Sequence, residues 1–465
     1  MVKRIRFIYL SLIVPLLFVL RLYQIYMNLG INPVIMDFLR EKNFLWVVLA
    51  LTVYPVVDLC IRTVHKLKES HHIAWDKCII LVAAVIADIQ LCVLLNQGLI
   101  NQTNAQYFLA YQLIGLCAYY IGKYQKDVLS AFLYIMVGII TVTAVYGLIE
   151  WGVYAATQKQ LLMSTGNLRL ASFYGNPILA GSSLLVGFWL ASIISNVVVK
   201  VSIKVIITFA IFATMSRSCW MGLIFSLIIL WISSGAKIKN KRLAFIVLGC
   251  SCIGIAGLLI FIPYIKEVTL GRLMDITESN SYQLRMEYWG FGIKHFFGDK
   301  YFLSKLIGTG YTSSAKLITS SEIYTKWKDV YPYDIHFDNV YISILTEFGL
   351  IGMSSVIITA LIAFRGIFRG EKDYLCCGLG IAALMPAALF WDPIYCPINM
   401  ILFIAVVGIV MSGDEEQPES VRKHGEKNME IDENSQETIP APTYDKSEEW
   451  VQEYIEQYGA EPSFF

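Results

Sequence analysis

Long apolar runs alternate with short polar segments along almost the whole chain. A helix that crosses a bilayer needs about 20 mostly apolar residues, and most of these runs approach that length. The pattern therefore predicts an all-α fold, a polytopic membrane helical bundle with about twelve transmembrane helices. The predicted spans are Phe7–Met27, Phe44–Ile61, Cys78–Gln97, Gln106–Ile121, Val128–Val153, Pro177–Ser195, Val201–Met215, Cys219–Ser233, Ala244–Tyr264, Asn339–Phe364, Tyr374–Phe390 and Pro397–Met411.

The charges of the loops give this bundle an orientation, because Lys and Arg concentrate on the cytoplasmic side of membrane proteins. If the N-terminus is cytoplasmic, every long inside loop is basic, whereas the outside loops Gly98–Ala105 and Trp391–Cys396 contain no Lys or Arg. The alternation predicts that both termini are cytoplasmic and that the number of spans is even. The inside loops are Arg62–Lys77, Lys123–Lys126, Lys200–Lys204, Lys237–Arg242 and Arg365–Lys372.

Some basic residues lie in predicted outside loops, where the charge rule disfavours them. Arg40 and Lys42 follow the first span, Arg169 precedes the sixth span, and Arg217 lies in a turn between two spans. Arg285 lies in the longest outside loop. Because topology does not explain these charges, we expect some of them to bind a ligand.

Composition supports a membrane protein. The chain is 56% hydrophobic and 16% charged, with a mean hydropathy of +0.58. Soluble domains are about 45–50% apolar and about 25% charged, so lipid best accommodates the apolar excess. The net charge of +1 hides an acidic tail, which has fifteen acidic and four basic residues from Asp414 onward. The rest of the chain is basic, which is typical of Lys and Arg in cytoplasmic loops and does not indicate a nucleic-acid surface. Almost all of the ten cysteines lie in apolar runs, so neither disulfides nor a zinc site is expected.

Four regions follow from this pattern. Residues 1–264 contain spans one to nine, and residues 265–338 form a long extracytoplasmic loop rich in aromatic residues. Residues 339–412 contain spans ten to twelve, and residues 413–465 form an acidic, mostly disordered cytoplasmic tail. Within the long loop, Ser281–Phe297 places Leu284, Tyr288 and Phe291 on one helical face, and we interpret it as an amphipathic helix on or near the outer leaflet.

Four polar clusters face the outside in this topology. Guanidinium groups match phosphate oxygens, so arginines at a membrane surface suit a lipid pyrophosphate. A carboxylate or imidazole beside them can take a proton from an attacking hydroxyl. The clusters are Arg169–Pro177, Met215–Trp220, Arg285–Trp289 with Gly308–Tyr311, and His336–Tyr341 with Glu347–Gly352.

In order and spacing, these clusters resemble the O-antigen ligase and polymerase family of bacterial membrane glycosyltransferases. The resemblance runs from about Arg169 to Gly352 and includes the long outside loop. Its motifs are an Asn-Pro segment entering a helix, a Thr-x-Ser-Arg turn, an Arg-x-x-x-Trp segment before Gly-x-Gly, and a His/Asp-Asn-x-Tyr motif before a Gly-x-x-Gly helix. Here they are Phe173–Pro177, Thr214–Arg217, Arg285–Trp289 with Gly308–Gly310, and His336–Tyr341 with Gly349–Gly352.

The resemblance implies a metal-independent, cofactor-free enzyme with a GT-C-like fold in the bacterial cytoplasmic (inner) membrane. Such an enzyme moves a glycan from an undecaprenyl-pyrophosphate carrier to an acceptor hydroxyl, and its acidic tail could dock polysaccharide assembly proteins. By the same resemblance, Arg217 and Arg285 would grip the pyrophosphate. Asp338 or His336 would be the base. Arg169, Trp289, Asn339 and Tyr341 are expected to contact substrate.

Three functions remain open at this point. Ligases of the family usually have histidine directly before the asparagine, whereas Asp338 stands before Asn339 here and His336 lies two residues earlier. This difference favours a polymerase of lipid-linked repeat units over a ligase that transfers a finished glycan. A flippase or transporter for a lipid-linked glycan is the third possibility. It would need charged or broken helices near the bilayer midplane, where only Asp88 clearly qualifies.

Overall fold

The computed structural model describes most of the chain up to residue 413. The span Cys78–Gln97 with Asp88, the residue Arg40 and the acidic tail from Asp414 lie outside the described residues. The span Ala244–Tyr264 is described only at its last two residues and at scattered helical positions between 246 and 260. The remaining described residues are 2–27, 41–70, 102–159, 168–233, 263–274, 280–299, 301–310, 313–330, 336–369, 371–390 and 396–413.

Helices account for nearly all of the described residues, and no strand occurs among them. This confirms the prediction of an all-α protein. The helices are α1 (Val2–Met27), α2 (Glu41–Ser70), α3 (Gln102–Tyr124), α4 (Lys126–Thr157), α5 (Pro177–Leu190), α6 (Val197–Ala213), α7 (Arg217–Ser233), α8 (Pro263–Met274), α9 (Asn280–Gly298), α10 (Phe302–Ile307), α11 (Ser313–Thr319), α12 (Glu322–Trp327), α13 (Val340–Arg369), α14 (Lys372–Ala387) and α15 (Pro397–Met411).

Within the part of the chain that the structure describes, five helices are long and apolar enough to cross a membrane. Three shorter apolar helices, Pro177–Ile193, Arg217–Ser233 and Ile398–Met411, accompany them. The chain is therefore a multi-pass α-helical membrane protein, while the number of twelve spans and a GT-C-like arrangement stay predictions. The five segments are Lys3–Leu22, Phe44–His65, Lys126–Thr157, Val340–Phe368 and Lys372–Phe390.

Small residues bring the membrane helices into close backbone contact. A Cβ added at Gly408 of α15 would lie 2.5 Å from the Gly115 carbonyl oxygen of α3. A Cβ added at Gly222 of α7 would overlap the Ala383 carbonyl oxygen of α14. Such approaches increase van der Waals contact between helices, which matters in lipid because burial there gains little hydrophobic free energy.

The bundle has two ends with different polar groups. At one end, the start of α1 meets the ends of α2 and α3, where Arg6, Asp58 and Tyr120 interact. We call this the Asp58 end. At the other end, residues 168–176, the turn before Arg217 and residues 336–339 come together, and we call it the Arg217 end.

Helix α13 is broken at Gly349, which the sequence did not reveal. Gly349 has φ 63° and ψ −155°, a conformation open essentially only to glycine. The break exposes carbonyl groups of the preceding turn, and the Gly308–Gly310 segment satisfies them. The Thr309 amide donates to the Thr346 carbonyl at 3.1 Å, and the Gly310 amide donates to the Glu347 carbonyl at 2.8 Å. The Gly-x-Gly motif thus caps a broken helix.

The predicted amphipathic helix Ser281–Phe297 is present as α9, but its apolar face is covered by protein. Leu284 and Tyr288 are buried in a small core with Ile318, Trp327 and Phe337 from the surrounding segments, and Phe291 packs at its edge. This face therefore packs on protein, while the position of the helix on or near the outer leaflet stays a prediction. The face joins α9 to helices α11–α13.

Candidate functional site

Arg169 is held against the turn that precedes Arg217. The Leu170 amide donates to the Ala213 carbonyl at 2.8 Å, and Arg169 Nε donates to the Thr214 carbonyl at 3.2 Å. Two motifs that are about 45 residues apart in the sequence are therefore adjacent at the Arg217 end. Ser172, in the same segment, donates its hydroxyl hydrogen to the Thr143 carbonyl of α4 at 2.7 Å, which fixes the loop to the bundle.

Arg217 is the first residue of α7, at the positive end of the helix dipole. A cation is disfavoured there, and Arg217 also lies within electrostatic range of Arg285, whose like charge repels it. Arg217 is half-buried, so water screens this repulsion only in part. Helix N-termini attract anions, and the guanidinium groups of Arg217 and Arg285 lie near this one.

Arg285 forms an ion pair with Asp338, which joins the predicted pyrophosphate clamp to the predicted base. Its Nε lies 2.9 Å and its Nη2 lies 2.8 Å from the same oxygen, Oδ2 of Asp338. The side chains are 24% and 20% exposed, so a ligand in solution or at the membrane surface can reach the pair. One turn further along α9, Trp289 Nε1 donates to the Phe337 carbonyl at 2.8 Å. Arg285 and Trp289 together hold the segment 337–338.

Asn339 and Tyr341 have structural contacts in this arrangement. The Asn339 side-chain oxygen accepts hydrogen bonds from the Tyr341 and Ile342 amides at 3.0 and 3.2 Å, so Asn339 is the N-cap of α13. The Tyr341 hydroxyl donates to the Met385 carbonyl of α14 at 2.7 Å. Substrate contacts for Asn339, Tyr341, Trp289 and Arg169 stay predictions. The hydrogen bonds of Asn339 and Tyr341 show that these two residues also stabilise the site.

His336 is half-buried beside the ion pair. Burial lowers the pKa of His336 below its ordinary value, and the negative charge of Asp338 only partly opposes this effect. The imidazole is therefore mainly neutral at pH 7, the form that can accept a proton. The two predicted bases, His336 and Asp338, are close to each other, and Asp338 contacts Arg285.

Strained backbone marks the same end of the bundle. Four non-glycine residues have left-handed φ values in the described part of the chain: Gln158, Ser172, Met215 and Asp338. Gln158 ends helix α4, a common place for this conformation. The other three, Ser172, Met215 and Asp338, lie in three of the four polar clusters, at φ 50°, 52° and 50°. Such residues cluster at functional sites, because surrounding structure must hold them in place.

Two buried charges near this end were missed by the sequence motifs. Glu150, in α4, is 3% exposed and accepts a hydrogen bond from the Tyr146 hydroxyl at 3.0 Å. Tyr146 stacks on Phe173 of the first motif with ring centroids 4.1 Å apart. Arg21, in α1, is 7% exposed. Sequence analysis could have identified Glu150 and Arg21 as charged residues inside apolar runs, because ionisable residues within membrane spans are commonly functional.

No group of three or more His, Cys, Asp or Glu side chains that could hold a metal ion occurs among the residues described. This observation does not test whether the reaction needs a metal ion, so metal independence remains a prediction. The polar groups that do converge are the guanidinium groups of Arg169, Arg217 and Arg285, the carboxylate of Asp338 and the imidazole of His336. This set can bind an anion and accept a proton.

Residues 203–357, about a third of the chain, match the model of the O-antigen ligase family. This segment is similar to the O-antigen ligase domain. The match confirms the resemblance to the O-antigen ligase/polymerase family, an enzyme family, and it contains three of the four motifs. The Arg169–Pro177 motif precedes the matched segment. No curated protein matches the chain.

Proposed function

We propose that this O-antigen ligase family protein polymerises undecaprenyl-pyrophosphate-linked oligosaccharide repeat units into a surface polysaccharide. The observation that carries the proposal is the meeting of Arg217 and Arg285 beside Asp338 at the N-termini of two helices, α7 and α13. Like charges held together at a helix N-terminus are unfavourable alone and favourable around a pyrophosphate. The family match supports a lipid-linked glycan as the substrate.

In the proposed reaction, the donor pyrophosphate binds Arg217 and Arg285. Because Arg285 holds Asp338 in the absence of donor, the pyrophosphate oxygens compete with that carboxylate for the guanidinium group. Donor binding then releases Asp338 to accept the proton of the acceptor hydroxyl. The hydroxyl oxygen bonds to the anomeric carbon as the bond from that carbon to the pyrophosphate breaks, and undecaprenyl pyrophosphate leaves. Its developing charge is stabilised by the two arginines.

A ligase is the second candidate, because the matched family model is that of the O-antigen ligase. The polymerase is favoured by Asp338, which occupies the position where ligases of the family usually have histidine. In the ligase alternative, His336 is the base, and its lowered pKa supports the neutral form that this role needs. The two functions differ in the acceptor: a second lipid-linked repeat unit or a separate lipid or cell-wall glycan.

We place the Arg217 end on the non-cytoplasmic side of the inner membrane and both termini in the cytoplasm. Basic side chains support this orientation, because they gather at the opposite end, where the cytoplasm is expected. The residues concerned are Arg6, Arg62, Lys123, Lys126, Lys200, Lys204 and Lys372.

The proposal is tested with purified full-length protein in nanodiscs supplied with lipid-linked repeat units. Arg217→Ala and Arg285→Ala should each lower polymer formation by about 100-fold or more, because each removes charge stabilisation of the leaving group. Arg62→Ala is the matched control at the Asp58 end and should leave polymer formation unchanged. Normal polymer length in either Arg217→Ala or Arg285→Ala would contradict the proposed pyrophosphate clamp.

The same assay separates polymerase from ligase. Lengthening of the glycan with lipid-linked repeat units as the sole substrate supports a polymerase. Transfer that requires a separately added acceptor, with no lengthening in its absence, supports the ligase and contradicts the first choice.

A further inference from the structure

Helix α9 has a second apolar face, opposite the one that is buried. Leu284, Tyr288 and Phe296 pack into protein, whereas Met286, Ile293 and Phe297 are 45%, 42% and 68% exposed. At about 100° per residue, the exposed set lies on the side of the helix away from the buried set. Gly290 falls on the same line as the exposed set, and a Cβ added to it would meet no atom within 4 Å.

The exposed apolar surface continues past the end of α9. Tyr301, Phe302 and Leu303 are 76%, 74% and 62% exposed. These three residues and Met286, Ile293 and Phe297 all lie between residues 286 and 303, and we call the six together the apolar ledge. Several large apolar side chains exposed in one short segment indicate a partner, because water is an unfavourable environment for them.

Contacts at Gly349 fix where the apolar ledge lies along the membrane normal. A Cβ added at Gly349 would lie 2.6 Å from the carbonyl oxygens of Lys305 and Leu306 in α10, so α10 rests on the break in α13. Beyond the break, α13 continues to Arg369, a length of about 30 Å, which equals the thickness of the hydrocarbon core. The α10 part of the apolar ledge therefore lies beside the break, at the start of this straight part of α13.

An exposed apolar stripe runs along that part of α13, as expected for the lipid-facing side of a span. Leu350, Ile357 and Leu361 are 50%, 59% and 62% exposed and are spaced by seven and four residues on one face of α13. Two lysines flank the ledge: Lys294 is exposed, and Lys305 Nζ donates to the Phe297 carbonyl at 3.0 Å. Aromatic rings beside lysines are typical of the interface between hydrocarbon and headgroups.

We propose that the apolar ledge inserts into the non-cytoplasmic leaflet of the bilayer and that phospholipid is its partner. Met286 directly follows Arg285, so insertion of the ledge holds Arg285 and Asp338 at the level of the lipid headgroups. If the proposed function is right, this is the level at which the pyrophosphate of a lipid carrier lies, so the carrier reaches the arginines without leaving the membrane. The lipid contact itself does not depend on the reaction.

The test is photocrosslinking of the full-length protein in nanodiscs of phosphatidylethanolamine and phosphatidylglycerol. p-Benzoylphenylalanine is placed singly at Phe297 or Phe302, and mass spectrometry identifies the adducts. Leu361, on the lipid-facing stripe of α13, is the positive control, and the exposed Ser320 after α11 is the negative control. Lipid adducts are expected at Phe297, Phe302 and Leu361 and at least tenfold fewer at Ser320.

Two results would overturn the proposal. One is an absence of lipid adducts at Phe297 and Phe302 while Leu361 forms them. The other is crosslinking of Phe297 or Phe302 mainly to a second copy of the chain, which would make the ledge a protein interface. Neither readout requires glycan transfer, so failure of the proposed function and failure of the lipid contact are distinguishable.

Discussion

Arginines gather at both ends of the helical bundle, and the two groups are built differently. At the Asp58 end, Arg62 Nε donates to Asp58 Oδ2 at 3.0 Å, and Arg6 lies 3.9 Å from the same oxygen. The Tyr120 hydroxyl accepts from Arg6 at 2.6 Å and donates to Asp58 at 2.5 Å. The Arg6 guanidinium also lies over the ring of Tyr54. Each charge here is matched by a carboxylate, a hydroxyl or an aromatic ring.

At the Arg217 end, Arg169, Arg217 and Arg285 come from three separate polar clusters. Arg285 forms an ion pair with Asp338, and Arg169 donates a hydrogen bond to the Thr214 carbonyl. Arg217 lies near Arg285 at the N-terminus of α7. The backbone is strained at Asp338 and Met215, whereas no left-handed residue occurs in the described helices of the Asp58 end. The Asp58 end has the composition of a structural cluster, whereas the Arg217 end combines an ion pair with strained backbone, which is typical of a functional site.

The largest difference between the two ends is expected when the carboxylate at each end is removed. Asp338→Asn should lower the turnover number by about 10²–10⁴-fold, the usual contribution of a general base. The same change should tighten donor binding by about fivefold, because Asp338 no longer competes for Arg285 and a partly exposed ion pair is worth up to about 1 kcal/mol. Turnover and donor affinity are measured separately in nanodiscs.

Asp58→Asn is the matched variant and should change neither quantity. It should lower the thermal unfolding temperature, because Arg6 and Arg62 lose their shared counter-charge. Unchanged donor affinity in Asp338→Asn would show that the Arg285–Asp338 pair does not compete with the donor.

The break in α13 gives a second contrast. Gly349→Ala should destabilise the protein by about 1–3 kcal/mol, because alanine is strained at this φ and ψ. Its Cβ would also meet the α10 backbone, so the Arg217 end should lose activity as well as stability. Gly138→Ala, in the open part of α4, is the control and should be neutral or slightly stabilising. If Gly349→Ala and Gly138→Ala changed the unfolding temperature equally, the break at Gly349 would not have the structural role assigned to it.

The fold class and the site's location could be predicted from the sequence because both depend on simple patterns. Apolar runs revealed the helices, and the arginines that violate the charge rule revealed the motifs that the structure brings together. Asn339 was recognisable as part of a motif, yet its N-cap bonds to Tyr341 and Ile342 depend on where α13 begins, which patterns locate only to within a few residues.

The parts that could not be predicted depend on long-range contacts. The Arg285–Asp338 pair joins residues 53 positions apart, and nothing in either motif specifies that they meet. The same holds for the break at Gly349, which is formed together with the distant Gly308–Gly310 segment. The buried face of α9 was identified, but periodicity alone cannot distinguish burial against protein from burial in lipid.

A smaller effect is expected when one tyrosine hydroxyl is removed at each end. Tyr120→Phe removes the group that bridges Arg6 and Asp58, and Tyr341→Phe removes the bond to the Met385 carbonyl. Each should lower the free energy of unfolding by about 1 kcal/mol, the usual net contribution of a hydrogen bond. Only Tyr341→Phe should also raise the KM for substrate, if Tyr341 contacts it. An equal KM in both variants would limit Tyr341 to its structural role.

The smallest effect concerns pH and is specific to the Arg217 end. Because burial holds the pKa of His336 below that of a histidine in the unfolded chain, the unfolded state binds more protons as the pH falls below about 6.5. The contribution of His336 to stability is therefore present above that pH and declines below it. The unfolding temperature of the wild type should fall more between pH 7.5 and pH 5.5 than that of His336→Gln, which cannot titrate.

His336→Gln also tests whether His336 is the catalytic base or only a neighbour of Asp338. If Asp338 is the base, the variant should keep most of its turnover and lose only the pH dependence of stability. If His336 is the base, turnover should fall as far as in Asp338→Asn, because glutamine cannot accept the proton. A wild type and a His336→Gln variant with the same pH dependence of unfolding would instead mean that His336 has the same pKa in the folded and unfolded states, which contradicts the effect assigned to its burial. A wild type that gains stability relative to His336→Gln as the pH falls would mean that the pKa of His336 is raised and its imidazole is charged in the folded state, which would exclude His336 as the proton acceptor.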